Sequence, residues 1–379
     1  MTDIDRLRLI RTESVGLVTY RRLMARFATP QEALAALPEL ARAGGRAAAP
    51  AIPAIAKVEA EFRAVQRLGG RLLFLDGPDY PPFLAQLPDA PPAIAVLGDA
   101  KTLSARAVGV VGARNASANG MRFAESLGAE LAARLVVVSG LARGIDAAAH
   151  IGALRAGKTV AVIAGGLDMP YPPEHAALQA RIAEQGAVVA EAPLGTAPVA
   201  KHFPKRNRII AGLVLGLVVV EAAARSGSLL TARLANEAGR ELFGVPGSPL
   251  DPRSAGANDL IRQGAHLTES AADVLANLPD LPGREGLSRD PMFQRVAPPG
   301  LSEPASPPRW GDDQADAVEL ARGRRLVLDA IGADPVAVDE IARRCQLSMS
   351  AITAVLLELE LAGRVETLAG NRVARHVDP

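Results

Sequence analysis

Ala107-Val108-Gly109-Val110-Val111-Gly112-Ala113-Arg114 decides the fold, because five apolar residues without polar alternation run into two small residues and a cation. A strand reads this way when helices cover both faces of its sheet, as in parallel α/β domains. Five further runs repeat the texture: Leu135–Val138, Thr159–Ile163, Ala187–Ala190, Gly216–Val220 and Glu241–Val245. Helical stretches such as Met121–Arg134 and Leu229–Arg240 lie between most of them. This alternation predicts a doubly wound parallel sheet joined by right-handed crossovers.

The strand exits are Gly112-Ala113-Arg114, Ser139-Gly140, Gly165-Gly166, Glu191, Glu221 and Pro246-Gly247. Open α/β sheets bind ligands at the carboxyl ends of their strands, where loops feed helix N-termini. Tight turns account for the glycines but not for Arg114, Glu191 and Glu221.

Between Glu191 and Glu221 there is no acid, and there are four bases: Lys201, Lys205, Arg206 and Arg208. Pro204 restricts Phe203 to extended conformations, which predicts a helix starting near Lys205 or Arg206. Cations at a helix N-terminus oppose the macrodipole, and an anionic ligand relieves that conflict. Phosphate suits both arginine forks and free backbone N–H groups. Phe203 adds a stacking face of the kind that holds single-stranded bases, and Asn207 reads a base edge or caps the helix.

Gly152-Ala153-Leu154-Arg155-Ala156-Gly157-Lys158-Thr159 matches the P-loop expression, yet its context is reversed. A phosphate-cradling loop needs a strand before it and a helix after it. Here a helical segment, Ile145–Leu154, precedes the motif and a strand follows it, so Gly157 reads as a helix C-cap. No triphosphate site is expected there.

The 379 residues are too many for one ordinary domain. A formal charge of +1 excludes a chain-wide polycation, so any nucleic-acid site must be a local patch. The single cysteine, Cys345, excludes an internal disulfide framework and a multi-cysteine zinc site. The longest apolar run, Ile209–Val220, is too short to cross a bilayer, and Met1–Thr12 carries no apolar signal core. A cytoplasmic protein with no membrane association follows as the expectation.

The flanks differ in texture. Residues 1–75 read as helical, with a capping box at Thr29-Pro30-Gln31-Glu32. Pro279 to Asp316 holds eight of the 29 prolines and reads as a linker, assigned to 279–315. Residues 316–379 give helix, helix-turn-helix and two strands, a winged-helix pattern. The candidate recognition helix, Ser348–Ala362, contains no Arg, Lys, Asn or Gln and carries Glu358 and Glu360. With eight arginines against ten acids, this domain has a net charge of −2 and is expected to be an interaction module rather than the main DNA reader.

A family resemblance rests on ordered motifs. They are Val110-Val111-Gly112-Ala113-Arg114, Ser139-Gly140-Leu141-Ala142-Arg143-Gly144-Ile145-Asp146, His150, Gly152-Ala153-Leu154 and Tyr171-Pro172. Further on come Phe203-Pro204-Lys205-Arg206-Asn207-Arg208-Ile209-Ile210, Ser226-Gly227-Ser228, Thr231-Ala232 and Val245-Pro246-Gly247. Over about residues 76–278 the chain resembles the DprA family (DNA processing protein A, also called Smf). Ala113 stands where many members have serine.

The resemblance implies an extended Rossmann-like DNA-binding domain over 76–278, with an N-terminal sterile-alpha-motif-like helical domain and a C-terminal winged helix. It implies a homodimer that binds single-stranded DNA, protects it and helps load the RecA recombinase in natural transformation. Carried over, the DNA pocket uses Gly112, Arg114, Ser139, Gly140, Phe203, Arg206, Asn207 and Arg208, with Lys201 as an extra phosphate partner; Lys205 joins the DNA-binding candidates from the basic segment. No catalytic residue, cofactor or metal is expected. Asp146 and His150, four apart on one helix, could mimic a metal pair but find no third ligand and read as structural. Glu191 and Glu221 are expected to orient the basic loop through ion pairs. The alternative is a nucleotide-processing enzyme of the phosphoribohydrolase type, whose Pro-Gly-Gly-x-Gly-Thr loop is missing; Ala164-Gly165-Gly166-Leu167-Asp168 stands near its place.

Overall fold

The computed structural model describes residues 3–280 and 317–376, apart from residues 333, 369 and 370. Among the described residues the chain divides into two compact units, one of residues 60–280 and one formed by residues 3–59 together with 317–376. Apart from Pro279 and Asp280, the proline-rich segment lies outside the described residues.

The N-terminal helices are α1 (Asp3–Ile10), α2 (Leu17–Arg26), α3 (Pro30–Ala43) and α4 (Ile55–Arg67). Thr29 caps α3, its side chain accepting the Glu32 N–H at 3.2 Å. Glu32 reaches back one residue further than a capping box requires, to the Ala28 N–H at 3.2 Å.

The larger unit is built on a nine-stranded sheet. In chain order it runs β1 (Gly70–Phe74), α5 (Pro82–Ala85), β2 (Ala93–Gly98), β3 (Ala107–Val111), α6 (Ala118–Ala132), β4 (Val136–Ser139), α7 (Ile145–Ala156), β5 (Thr159–Ile163). There follow α8 (Ala176–Gln185), β6 (Ala187–Ala190), α9 (His202–Leu213), β7 (Gly216–Val219), α10 (Gly227–Glu237), β8 (Glu241–Gly244), α11 (Ala255–Arg262), β9 (His266–Leu267) and α12 (Ala271–Asn277). The spatial order is β1-β2-β6-β5-β4-β3-β7-β8-β9, parallel from β6 through β9. From β3 the chain steps one way to β6, then returns past β3 to build β7, β8 and β9 on the other side. That reversal puts ligand crevices at the carboxyl ends of the central strands.

Every residue of β3, β4, β5, β6 and β7 is buried, as their continuous apolar runs require. Val108, Val110 and Val137 pack under α6 and α7, while Val136, Val138 and Val162 face the cluster that includes Ile209, Ile210 and Leu213 of α9. Helices cover both faces, so the sheet is doubly wound. β1 and β2, not anticipated from sequence, add an antiparallel edge next to β6.

The winged helix comprises α13 (Ala317–Ala330), β10 (Val336–Ala337), α14 (Val338–Cys345), α15 (Met349–Leu361), β11 (Val365–Leu368) and β12 (Arg372–Arg375). Cys345 is buried in its core with Ile341, Ile352 and Val373. Among the described residues no helix is long and apolar enough to cross a membrane.

Candidate nucleic-acid site

Helix α9 starts at His202, three to four residues earlier than the position of Pro204 suggests. Proline fits there because a first-turn residue has no intrahelical N–H bond to lose. The earlier start places Phe203, Arg206 and Asn207 at i, i+3 and i+4, on one helical face. Lys201 becomes the N-cap residue.

That face meets the exits of β3, β4 and β5. Together they line a cleft, open to solvent, whose wall includes Arg114, Gly140, Arg143, Tyr171, Phe203 and Arg206. The Arg114 guanidinium lies 4.8 Å from the Phe203 ring centroid. The Tyr171 ring meets Phe203 edge-on, with centroids 5.6 Å apart at 61°. Tyr171 is 45% exposed and follows β5 in a loop with a cis Tyr171-Pro172 bond. The cleft therefore presents stacked aromatic and guanidinium surfaces at its mouth.

Arg206 forms the floor and is only 6% exposed. Burial pulls its guanidinium down to about 10; the Asp146 charge opposes this and Arg114 adds to it. Its Nε–H has no hydrogen-bond partner among the described residues. A buried cation with an unsatisfied donor is costly unless an anion arrives, and phosphate oxygens supply both charge and acceptors.

The loop around Arg206 is held in place from below. Leu141 occupies the left-handed region at φ 57°, a conformation a non-glycine residue keeps only under constraint. The Asp146 carboxylate accepts the N–H groups of Gly140 at 3.2 Å and Ala142 at 3.4 Å, and His175 Nδ1 donates to the Leu141 carbonyl at 2.9 Å. Burial raises the Asp146 carboxyl above its usual range against the pull of Arg206 and these N–H groups. Thr159 Oγ1 donates to the Val137 carbonyl at 2.7 Å, so the 2.7 Å contact with His150 is a donation from His150 Nδ1. Burial, with the Arg206 charge behind it, lowers His150 from 6.5 to about 3, and the ring is neutral. Asp146 serves the loop, while His150 ties α7 to the start of β5 through Thr159. Among the described residues no three His, Cys, Asp or Glu side chains gather as a metal site.

The structure sorts the sequence-derived candidates. Arg114, Gly140, Phe203 and Arg206 meet in the cleft wall. Ser139 does not join them: it is fully buried and its hydroxyl donates to the Val110 carbonyl at 2.6 Å. Gly112 acts by lacking a side chain, since a Cβ there would sit 2.6 Å from Ile145 Cγ1. Lys201, Lys205 and Asn207 are not in the cleft wall; the two lysines are exposed and Asn207 is half-buried. Arg208 turns away and grips Glu191, with Nη2 2.6 and 2.7 Å from the two carboxylate oxygens, and also donates to the Asp89 carbonyl. Glu191 thus makes the expected ion pair with the basic segment. Glu221 does not; it accepts the Ser117 N–H at 2.9 Å and hydroxyl at 2.5 Å at the start of α6. Tyr171 and Arg143 also line the cleft, although the sequence motifs that contain them do not single them out as site residues. The signal for Tyr171 was an aromatic residue in a loop after a strand exit, in a chain with three tyrosines.

Lys158 of the P-loop-like segment pairs with Asp99 at 2.8 Å. It sits between the end of α7 and the start of β5, at the opposite end of the sheet from the strand exits.

Three family models match successive parts of the chain. A DprA-like N-terminal HHH domain matches residues 1–64, DNA recombination-mediator protein A matches 71–279, and a DprA winged helix domain matches 311–371. The N-terminal match is thus to an HHH domain. Protein Smf of Escherichia coli (strain K12) is 37% identical over 83% of this chain and 80% of its own length. The X-ray structure of DNA processing protein A from Streptococcus pneumoniae superposes with a TM-score of 0.58 at 42% identity, covering 60% of this chain and 80% of that one. A structure of the Helicobacter pylori protein, concerned with its single-stranded DNA binding mode, gives 0.50 at 29% identity over 55% of this chain and 95% of that one. With one model spanning more than half its length, this chain belongs to the DNA recombination-mediator protein A family, the DprA and Smf proteins.

Proposed function

We propose that the cleft holds single-stranded DNA, with phosphates on Arg114 and Arg206 and an unstacked base against Phe203 and Tyr171. The observation that carries this reading is Arg206, a buried guanidinium on the cleft floor whose Nε–H lacks a partner among the described residues. Lys201 and Lys205 extend the cationic rim toward neighbouring phosphates. Base–aromatic stacking tolerates any sequence and requires an unpaired base, so the site favours single strands over duplex. The single-strand binding mode described for the Helicobacter pylori relative points the same way.

The reading extends to a non-enzymatic mediator that protects incoming strands and helps load the RecA recombinase in natural transformation, acting as a homodimer in the cytoplasm. Family membership supports this step. Glu191 and Glu221, the carboxylates suited to acid–base chemistry, are committed to Arg208 and Ser117. The test is a titration of the full chain with matched single- and double-stranded oligonucleotides. Preference for the single strand is expected, and equal affinity for duplex overturns the proposal. Release of free base from nucleoside monophosphates would favour an enzyme instead.

A further inference from the structure

A winged helix conventionally offers its third helix, here α15, to a DNA groove. In this chain buried positions are spread around α15, and from Val355 to Leu361 no residue is exposed. A helix of that kind is buried on more than one face. Ile352, Val355, Leu356 and Leu359 enter the winged-helix core. Leu357 and Leu361, 2% and 0% exposed, enter a second core with Leu9, Tyr20, Leu23 and Leu37 of α1, α2 and α3.

Polar contacts fix the same register. Glu360 Oε2 accepts Arg22 Nη1 at 3.1 Å and Thr19 Oγ1 at 3.0 Å, in a pair whose side chains are 10% and 13% exposed. Arg46 donates to the Leu361 carbonyl at 3.4 Å, placing a cation at the C-terminus of α15, where the helix dipole favours it. A Cβ on Gly44 would overlap the Glu358 carbonyl oxygen, so the end of α3 touches the α15 backbone and has no room for a side chain. Apolar, ionic and backbone contacts independently select one arrangement.

We propose that the partner of this recognition helix is the chain's own N-terminal helices rather than a DNA groove. The two ends of the chain then form one module, with the sheet domain inserted between them in sequence. The proposal does not depend on what the sheet domain binds.

The experiment uses the full chain with a protease recognition sequence placed between Pro299 and Pro304, cleaved and run on size exclusion under native conditions. The C-terminal fragment is expected to co-elute with the remainder. Glu360→Arg should weaken that association at least tenfold, and the charge swap Arg22→Glu with Glu360→Arg should restore it, which separates loss of the contact from failure to fold. Separation of the fragments from the otherwise native chain overturns the proposal. So does duplex binding by the uncut chain that is lost in Thr353→Glu, which would place α15 on DNA.

Discussion

Arg208 Nη2 lies 2.6 and 2.7 Å from the two carboxylate oxygens of Glu191, while Arg206, two residues earlier, has no comparable ion pair among the described residues. The helix turns these two arginines to opposite duties, one structural and one toward the cleft. Arg208→Ala should therefore act on stability, because a mostly buried charge-assisted pair contributes about 1.5–3 kcal/mol. Thermal unfolding should shift down by several degrees, at ~2–4 °C per kcal/mol for a domain of this size. Single-strand affinity of the folded variant should stay within about threefold of native, roughly 0.7 kcal/mol.

The mouth of the cleft carries the proposed stacking face. Phe203→Ala removes the stacking face and should weaken single-strand binding by about 1–3 kcal/mol, read by fluorescence anisotropy. Lys158→Ala should leave that affinity unchanged, since its ammonium is held by Asp99 at the far end of the sheet. ATP turnover abolished by Lys158→Ala would show the P-loop-like segment to be genuine.

Gly140 tests the floor. Its missing side chain makes room for Arg206, and a Cβ there would overlap Nη1 of that arginine. Gly140→Ala should push the guanidinium aside and lower single-strand affinity at least tenfold, about 1.4 kcal/mol or more. A structure of the variant with Arg206 unmoved and affinity intact would refute the coupling.

His150 gives a pH dependence with a definite sign. Its folded value of about 3 lies below the ordinary 6.5, so the unfolded chain takes up a proton that the folded chain refuses. Stability from this group is fully present above pH 6.5 and falls as pH drops toward 3, by at most about 1.4 kcal/mol per pH unit. Asp146, raised by burial, acts in the opposite direction. Comparing unfolding of native and His150→Gln between pH 7 and 4 isolates the histidine: the native chain should lose stability more steeply.

The central strands were legible because burial on both faces leaves an unbroken apolar signature. Ala107–Val111, Thr159–Ile163 and Ala187–Ala190 occur in the structure with those bounds. β1, at a sheet edge, is buried only at Leu73 and Phe74, and β9 has two residues, so neither carries that signature. The start of α9 was misplaced because Pro204 reads as a boundary, although a first-turn proline is equally compatible with a helix. The basic segment announced an anion site, but only the helical phase separates Arg206 from Arg208. The poverty of α15 in DNA-reading side chains was visible in its sequence. Its partner was not, because Arg22 and Glu360 stand 338 positions apart.

The most direct test of the cleft as a phosphate site is single-strand affinity across salt concentration, for the native chain and Arg114→Ala. Roughly 3–4 phosphate contacts per protomer give a log–log slope of about −2 to −3, at ~0.7 per contact. The account predicts that Arg114→Ala binds more weakly and that its slope is shallower by ~0.7. A variant with native affinity and an unchanged slope would contradict it.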